Sequence, residues 1–389
     1  MAHDFDRVID RRQSDSNKWN KYGPDVLPLW VADMDFAAPP PVIRALRERV
    51  EHGVFGYRVP DTELAEVVVE RLWKRYGWRV EPEAILSLPG VISGFNVAAR
   101  TVASPGEGVL ELLPVYPPIL RCPSNMGARL DAAPMTRARD GRYQVDWEAF
   151  SRAIQPSTRM FLLCNPHNPV GRVYTREELA RMAEICLSRG LTICADEIHC
   201  ELTYSGQQHV PIASLGPDVA ARTITFMAPS KTFNLPGLKA SVGIIPDPRL
   251  RVRFVQAQAD LVRAINLLGA TAMLAAYRDG QPWLDDLLPY LEANRDFLVE
   301  YVRKQLPGVT VAAPEGTYLA WLDCREATLP DADPFTFFLE RARVALNDGA
   351  AFGEPGRGFV RLNFGCRRSI LAEALDRMRR ALAERHAGS

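Results

Sequence analysis

From about residue 85 onward, short unbroken apolar runs alternate with stretches of helical period. The runs are AILSLPG (84–90), GVLELLPVY (108–116), TRMFLLCNP (158–166), LTICADEI (191–198), TITFMAPS (223–230) and SVGIIPD (241–247). They are continuous rather than alternating, as strands covered on both faces should be. Between two of them lies TREELARMAEICLSRG (175–190). There Thr175 and Glu178 form a capping box, Leu179, Met182, Ala183 and Cys186 share one face, and Gly190 closes the end. This alternation predicts an α/β fold, a mostly parallel sheet sandwiched by helices. Ligands of such sheets collect at the carboxyl ends of the strands.

The flanking regions read differently. Residues 1–45 form an irregular arm rich in Trp and Pro. Helices are predicted at PPVIRALRERVEHG (40–53) and DTELAEVVVERLWKRYG (61–77). In the second, Leu64, Val67, Val68, Arg71 and Leu72 share a face. After residue 247 the pattern turns helical, as one long connector reaching Ala276. A smaller α+β unit begins near 283, with strands at GVTVAA (308–313), TYLAWLDC (317–324) and FVRLNFG (359–365). The expected organisation is an arm over 1–45 joining the small domain, a large domain over 46–282, and a small C-terminal domain over 283–389.

Composition narrows the function classes. Lys plus Arg and Asp plus Glu are both 47, which argues against nucleic acid or an acidic membrane as the main partner. The seven cysteines are odd in number and form no CxxC pair, so neither a disulfide framework nor a metal site is expected. Several lie in apolar runs, where cysteine acts as a small hydrophobe, and a cytoplasmic, reducing setting fits best. The first residues, MAHDFDRVIDRRQSDS, are charged and do not read as a signal peptide, and no segment is apolar for long enough to span a membrane.

The chemistry-bearing residues sit just past the apolar runs. PGVISG (89–94) follows the first, a turn whose free N–H groups can hold a phosphate. Tyr116 follows the second, NPHNPVG (165–171) the third, and Asp196 closes the fourth. Ser230 and Lys231 follow the fifth. An unpaired ammonium at the end of a buried strand is costly, so Lys231 needs a partner. A phosphate-holding turn, an aromatic, an amide, a carboxylate, a hydroxyl and a lysine together suit pyridoxal 5'-phosphate, whose aldehyde condenses with lysine and whose ring nitrogen needs a carboxylate. Taken singly, each residue has a plainer reading. NPHNPVG is also a double Asx-Pro turn, Asp196 can cap or pair with a neighbour, and His199 can be a hydrogen-bonded structural histidine. Tyr116 can be plain core, and Arg361 can form a salt bridge. Those readings do not explain why the whole set follows strand ends before a lysine.

With these residues in place, CNPHNPVG, ADEIH, SKTFNLPG and RLNFG make the chain resemble the fold-type I pyridoxal-phosphate enzymes, the aspartate-aminotransferase superfamily, from about 25 to 380. LPLWVADMDF, GYRVP, ADEIHCEL and SKTFNLPGLKAS are similar to its cystathionine β-lyase branch of MalY/PatB type. The resemblance implies that Lys231 joins the cofactor's aldehyde and later moves protons, with Tyr116 as a second catalytic group stacked on the ring. It implies that Asp196 pairs with the ring nitrogen and that Asn168 bonds the ring oxygen. His199 stands where many relatives carry a tyrosine near that oxygen. Gly90, Val91, Ile92 and Ser230 are implied as the phosphate cradle, with Lys239 where many relatives put an arginine. Tyr57 is expected to reach the phosphate of a partner subunit, which implies a homodimer. Ala32, Asn168 and Arg361 are implied at the substrate, with Arg361 gripping the α-carboxylate. One departure stands out: Ala228 replaces a serine that often bonds the phosphate.

The implied activity is α,β-elimination on L-cystathionine or cysteine S-conjugates, releasing a thiol, pyruvate and ammonia. The alternative within enzymes is aminotransfer, which shares its first steps. A third reading is a regulator that binds amino acids or another protein. It is weighed down by the completeness of the site and by a chain that starts at the arm, where no helix-turn-helix module is expected.

Overall fold

The computed structural model describes residues 3–59, 62–263, 265–329 and 333–384. Pro60, which closes the GYRVP stretch, lies outside them. Seven strands form the main sheet. They are β1 (Ile85–Leu88), β2 (Gly108–Leu113), β3 (Arg129–Pro134), β4 (Thr158–Cys164), β5 (Thr192–Asp196), β6 (Thr223–Met227) and β7 (Ser241–Ile244). Their order is β1-β7-β6-β5-β4-β2-β3. β7 runs antiparallel to both neighbours, and the remaining pairs are parallel. Every residue of β2, β5, β6 and β7 is buried, which is why these segments are unbroken apolar runs.

β3 has no such run and was not anticipated. It is an edge strand, and RLDAAP alternates between exposed and buried positions.

The helices that matter for the site are α1 (Pro40–Glu51), α2 (Thr62–Tyr76), α3 (Val91–Val102), α4 (Pro117–Asn125), α5 (Arg176–Ser188), α6 (Pro248–Gln258), α7 (Leu267–Asp279), α8 (Gln281–Gln305) and α9 (Arg368–Glu384). α5 carries both halves of its capping box and buries the four residues its period predicts. The single connector expected over 247–276 is instead two helices. α6 stops because Ala259 and Asp260 turn left-handed, with φ of 47° and 58°. α7 then starts afresh under Asn266, whose side chain accepts from the Gly269 N–H at 2.8 Å. The long unbroken helix is α8, 25 residues running through position 283.

A second, antiparallel sheet has the order β8-β9-β11-β10, built from β8 (Thr310–Val311), β9 (Leu319–Asp323), β10 (Asn347–Asp348) and β11 (Phe359–Asn363). The N-terminal arm joins this unit, with Leu27–Pro28 pairing in parallel with Val344–Ala345. The arm then continues as a strap, WVADMDF (30–36), that reaches β11 and the turn after β6. The strap is tied down from several sides. Asn363 donates to the carbonyls of Val31 and Asp33 at 2.7 and 2.8 Å. Asn234 donates to those of Met34 and Phe36 at 2.9 and 2.8 Å. Arg11 and Lys18 hold Asp33 and Asp35 from the arm itself.

One side chain in the main sheet is out of keeping with its place. Glu111 of β2 is fully buried, and neither carboxylate oxygen has a hydrogen-bond partner. Burial pushes its carboxyl well above the usual glutamate range. The folded chain therefore keeps a proton that the unfolded chain releases, so stability is full below the ordinary glutamate range and falls as pH rises. The isosteric Glu111→Gln removes that titration. Its unfolding free energy should match the wild type near pH 4 and exceed it by at least about 1 kcal/mol at pH 8. Denaturant unfolding at the two pH values checks this, and a gap that does not change with pH contradicts it.

Candidate active site

Strand direction decides which side chains meet. β1, β2, β4, β5 and β6 finish at one edge of the sheet, so their following residues gather there. β7 runs the other way and enters from that edge, so Lys239 and Ala240, just before it, gather there too. The result is a cavity of about 400 Å³ whose walls include Tyr116, Asn168, Asp196, His199, Lys231 and Lys239. Gly90, Val91, Ile92 and Ser230 line its other end, as does Ser93, which belongs to the PGVISG turn but was not named singly from sequence. Ala32 reaches it from the strap.

That other end is the N-terminus of α3. Gly90 caps the helix, and its carbonyl accepts from Gly94. The first-turn N–H groups then have no acceptor within the helix, which with the helix dipole favours an anion. Ser230 and Lys239 line the same cavity, while Ala228 offers only a methyl.

Lys231 sits on the short turn Pro229–Thr232 after β6. The side chain is half-buried, and its Nζ donates to the Ala32 carbonyl at 2.6 Å. Burial, aided by the Arg361 charge, pulls the amine down to about 8, against the opposing pull of Asp33 and Asp196. Asp196 is buried at the end of β5, and burial pushes its carboxyl up to about 7. One oxygen accepts from the Ile198 N–H at 3.1 Å, and both this bond and the Lys231 charge hold the value down.

His199 is buried and neutral, pushed well below the usual histidine range by burial and by the charges of Lys231 and Arg361. Its Nδ1 is buried without a partner, so the plain reading of a fully satisfied structural histidine does not describe it. His167, in the NPHNPVG turn, is the satisfied one. It bonds the Pro114 carbonyl at 2.8 Å and the Tyr174 hydroxyl at 3.0 Å.

Arg361 on β11 is also buried, and burial pulls it down to about 10. It donates to the side-chain oxygens of Asn168 at 2.8 Å and Asn347 at 2.5 Å, and to the Trp30 carbonyl at 3.1 Å. Its Nε is buried and unpartnered, and among the described residues no carboxylate pairs with it, so the salt-bridge reading is not met. Asn347, Trp30 and Tyr318, whose hydroxyl donates to the same Ala32 carbonyl at 2.9 Å, were not singled out from sequence. Two of these contacts end on backbone carbonyls, which no side-chain motif records.

Tyr57 is not in this cavity. It lies wholly exposed beside Val54 and Phe55, which are exposed too.

The residues present fit pyridoxal 5'-phosphate. The unpartnered His199 Nδ1, the buried Asp196 carboxyl, the amine of Lys231 and the helix N-terminus offer contacts to its ring oxygen, ring nitrogen, aldehyde and phosphate respectively.

Comparisons with known proteins identify the family and its cofactor. The family described as "Aminotransferase class I and II" matches residues 24–378. The chain is 40% identical to the cystathionine beta-lyase PatB of Bacillus subtilis, over 97% of this chain and 100% of that one. It is 35% identical to the cystathionine beta-lyase of Corynebacterium glutamicum, over 93% and 95% of the two chains. Among solved structures it is similar to cystalysin from Treponema denticola, which contains a pyridoxal 5'-phosphate cofactor. The TM-score is 0.94 at 31% identity, over 99% of this chain and 100% of that one.

The lowered amine of Lys231 can be read directly. In protein stripped of cofactor, acylation of Lys231 followed by peptide mass spectrometry should show a half-point near pH 8 rather than near the ordinary 10.5. Arg361→Met removes a neighbouring positive charge and should move that half-point upward. A half-point near the ordinary value, or one indifferent to Arg361, contradicts the electrostatics described above.

Proposed function

The chain belongs to the aminotransferase class I and II family, and from that premise we propose that it is a pyridoxal-phosphate-dependent carbon–sulfur lyase. The substrates are L-cystathionine and cysteine S-conjugates, and the products are a thiol, pyruvate and ammonia. Lys231 and the buried Asp196 on one cavity support pyridoxal-phosphate chemistry, and the observation that carries the lyase reading is the 40% identity, over 97% of the chain, to the cystathionine beta-lyase PatB of Bacillus subtilis.

Bound there, pyridoxal 5'-phosphate supplies an aldehyde for amines and a ring that accepts the electron pair left when the α-proton departs. The chain's own residues do the rest. Asp196 keeps the ring nitrogen protonated. Arg361 grips the substrate carboxylate, and Asn168, already bonded to it, fixes the angle between carboxylate and ring. Lys231 Nζ, steadied by the Ala32 carbonyl, takes the α-proton as a free amine. A lysine of ordinary basicity would be protonated at neutral pH and unable to do so. With the proton gone, the β-thiolate is expelled, and the remaining three-carbon fragment hydrolyses to pyruvate and ammonia.

The exposed run containing Val54, Phe55 and Tyr57 supports the further reading that this segment packs on a second copy, where Tyr57 meets the partner's phosphate end. The chain then acts as a homodimer.

Purified protein with pyridoxal 5'-phosphate and L-cystathionine should release pyruvate and thiol in equal amounts with no keto acid added. Lys231→Ala should lower that rate by at least about 10²- to 10⁴-fold. Product that appears only when a keto acid is supplied contradicts the lyase reading and favours aminotransfer.

A further inference from the structure

Arg361 is a buried cation surrounded by neutral acceptors. Two amide oxygens and one backbone carbonyl receive its N–H groups, and the ring of Phe352 lies 4.9 Å from its guanidinium carbon. Each of these orients the fork without cancelling its charge. Asn168 and the strap are accounted for by the site already described. Asn347 is not.

Asn347 stands where it does because of strand register. β10 is two residues long and pairs antiparallel with β11, with Asn347 opposite Arg361 and Asp348 opposite Val360. Directly opposed residues on adjacent strands present their side chains to the same face. Successive residues present theirs to opposite faces. The amide therefore meets the guanidinium, and the acid one position later is turned away. Asp348 indeed spends its carboxylate on the Ala350 N–H, at 3.0 Å. A shift of one residue would put that carboxylate on Arg361 instead and close the cation off as an internal ion pair.

We propose that Asn347 is a positioning residue that sets carboxylate selectivity: it holds the Arg361 fork in line through a neutral oxygen, so that the full positive charge is kept for the substrate's carboxylate. The inference rests on the reading of Arg361 as the carboxylate grip. It assigns the selectivity to a residue on another strand that need not touch the substrate. Replacing the amide with an acid leaves shape and hydrogen bond in place and alters only the charge, so it isolates the claim. Replacing it with alanine removes the orienting bond and leaves the charge.

The test uses the holoenzyme and two probes that lack a β leaving group and so cannot undergo elimination, L-alanine and L-alaninamide, which differ in carrying or lacking the carboxylate, with absorbance read immediately on mixing. Dissociation constants are read from the change in visible absorbance on titration, and the ratio of the two constants is compared within each variant. Any loss of folded fraction cancels in that ratio. The wild type should favour L-alanine. Asn347→Asp should reduce the preference by about 100-fold, and Asn347→Ala by about tenfold, with L-alaninamide affected less than about threefold in either. In turnover, the same variants should raise KM far more than they lower kcat. A preference retained in Asn347→Asp overturns the proposal alone. So does a loss of both probes in equal measure, which marks a merely structural role. A wild type that does not distinguish the probes overturns the proposal together with the Arg361 assignment.

Discussion

The structure depends on one arrangement: a lysine amine at the end of a buried strand, bonded to a backbone carbonyl and to no acid. Among the described residues Lys231 forms no ion pair, and its acceptor, the Ala32 carbonyl, is neutral. A folded chain that keeps such a group must gain from it elsewhere, because desolvating an ammonium without a directly paired acid is unfavourable. The gain is reactivity. The same burial that costs stability lowers the amine to a range where it is partly unprotonated at neutral pH. Asp196 is the complementary case, a carboxyl kept protonated more readily than usual until a cationic ring is placed against it.

The N-terminal strap makes this possible. It supplies the Ala32 carbonyl to Lys231 and the Trp30 carbonyl to Arg361, and it does so with backbone, so its position must be fixed by other groups. Asn234, Asn363, Arg11 and Lys18 fix it from the turn after β6, from β11 and from the arm. The strap thus ties the main sheet to the smaller antiparallel sheet at the cavity itself. Lys231 meets a neutral oxygen on the cavity wall, and Arg361 meets neutral oxygens behind it, through Asn168 and the strap.

Much of this was legible in the sequence, and the reasons are physical. A strand buried on both faces writes itself as an unbroken apolar run, which made β2, β5, β6 and β7 readable, and β1 and β4 are apolar enough to be read with them, so the positions of Tyr116, Asn168, Asp196 and Lys231 at strand ends followed. β3 escaped because RLDAAP alternates between exposed and buried positions, unlike ILSL at the other edge. The break between α6 and α7 escaped because Ala259 turns left-handed without a glycine to announce it. Asn347 escaped for a different reason. Its meaning lies in being opposite Arg361, and pairing between β10 and β11 is a property of the folded sheet that neither segment shows alone. The strap stood out as WVADMDF, but what it contributes is carbonyl oxygen, which every residue has.

The most direct measurement of the central claim is chemical. Protein reconstituted with pyridoxal 5'-phosphate is treated with borohydride, digested, and its peptides are mapped by mass. The account predicts a single covalent pyridoxyl tag, on Lys231. A tag on Lys239 or another lysine, or no tag at all, contradicts it.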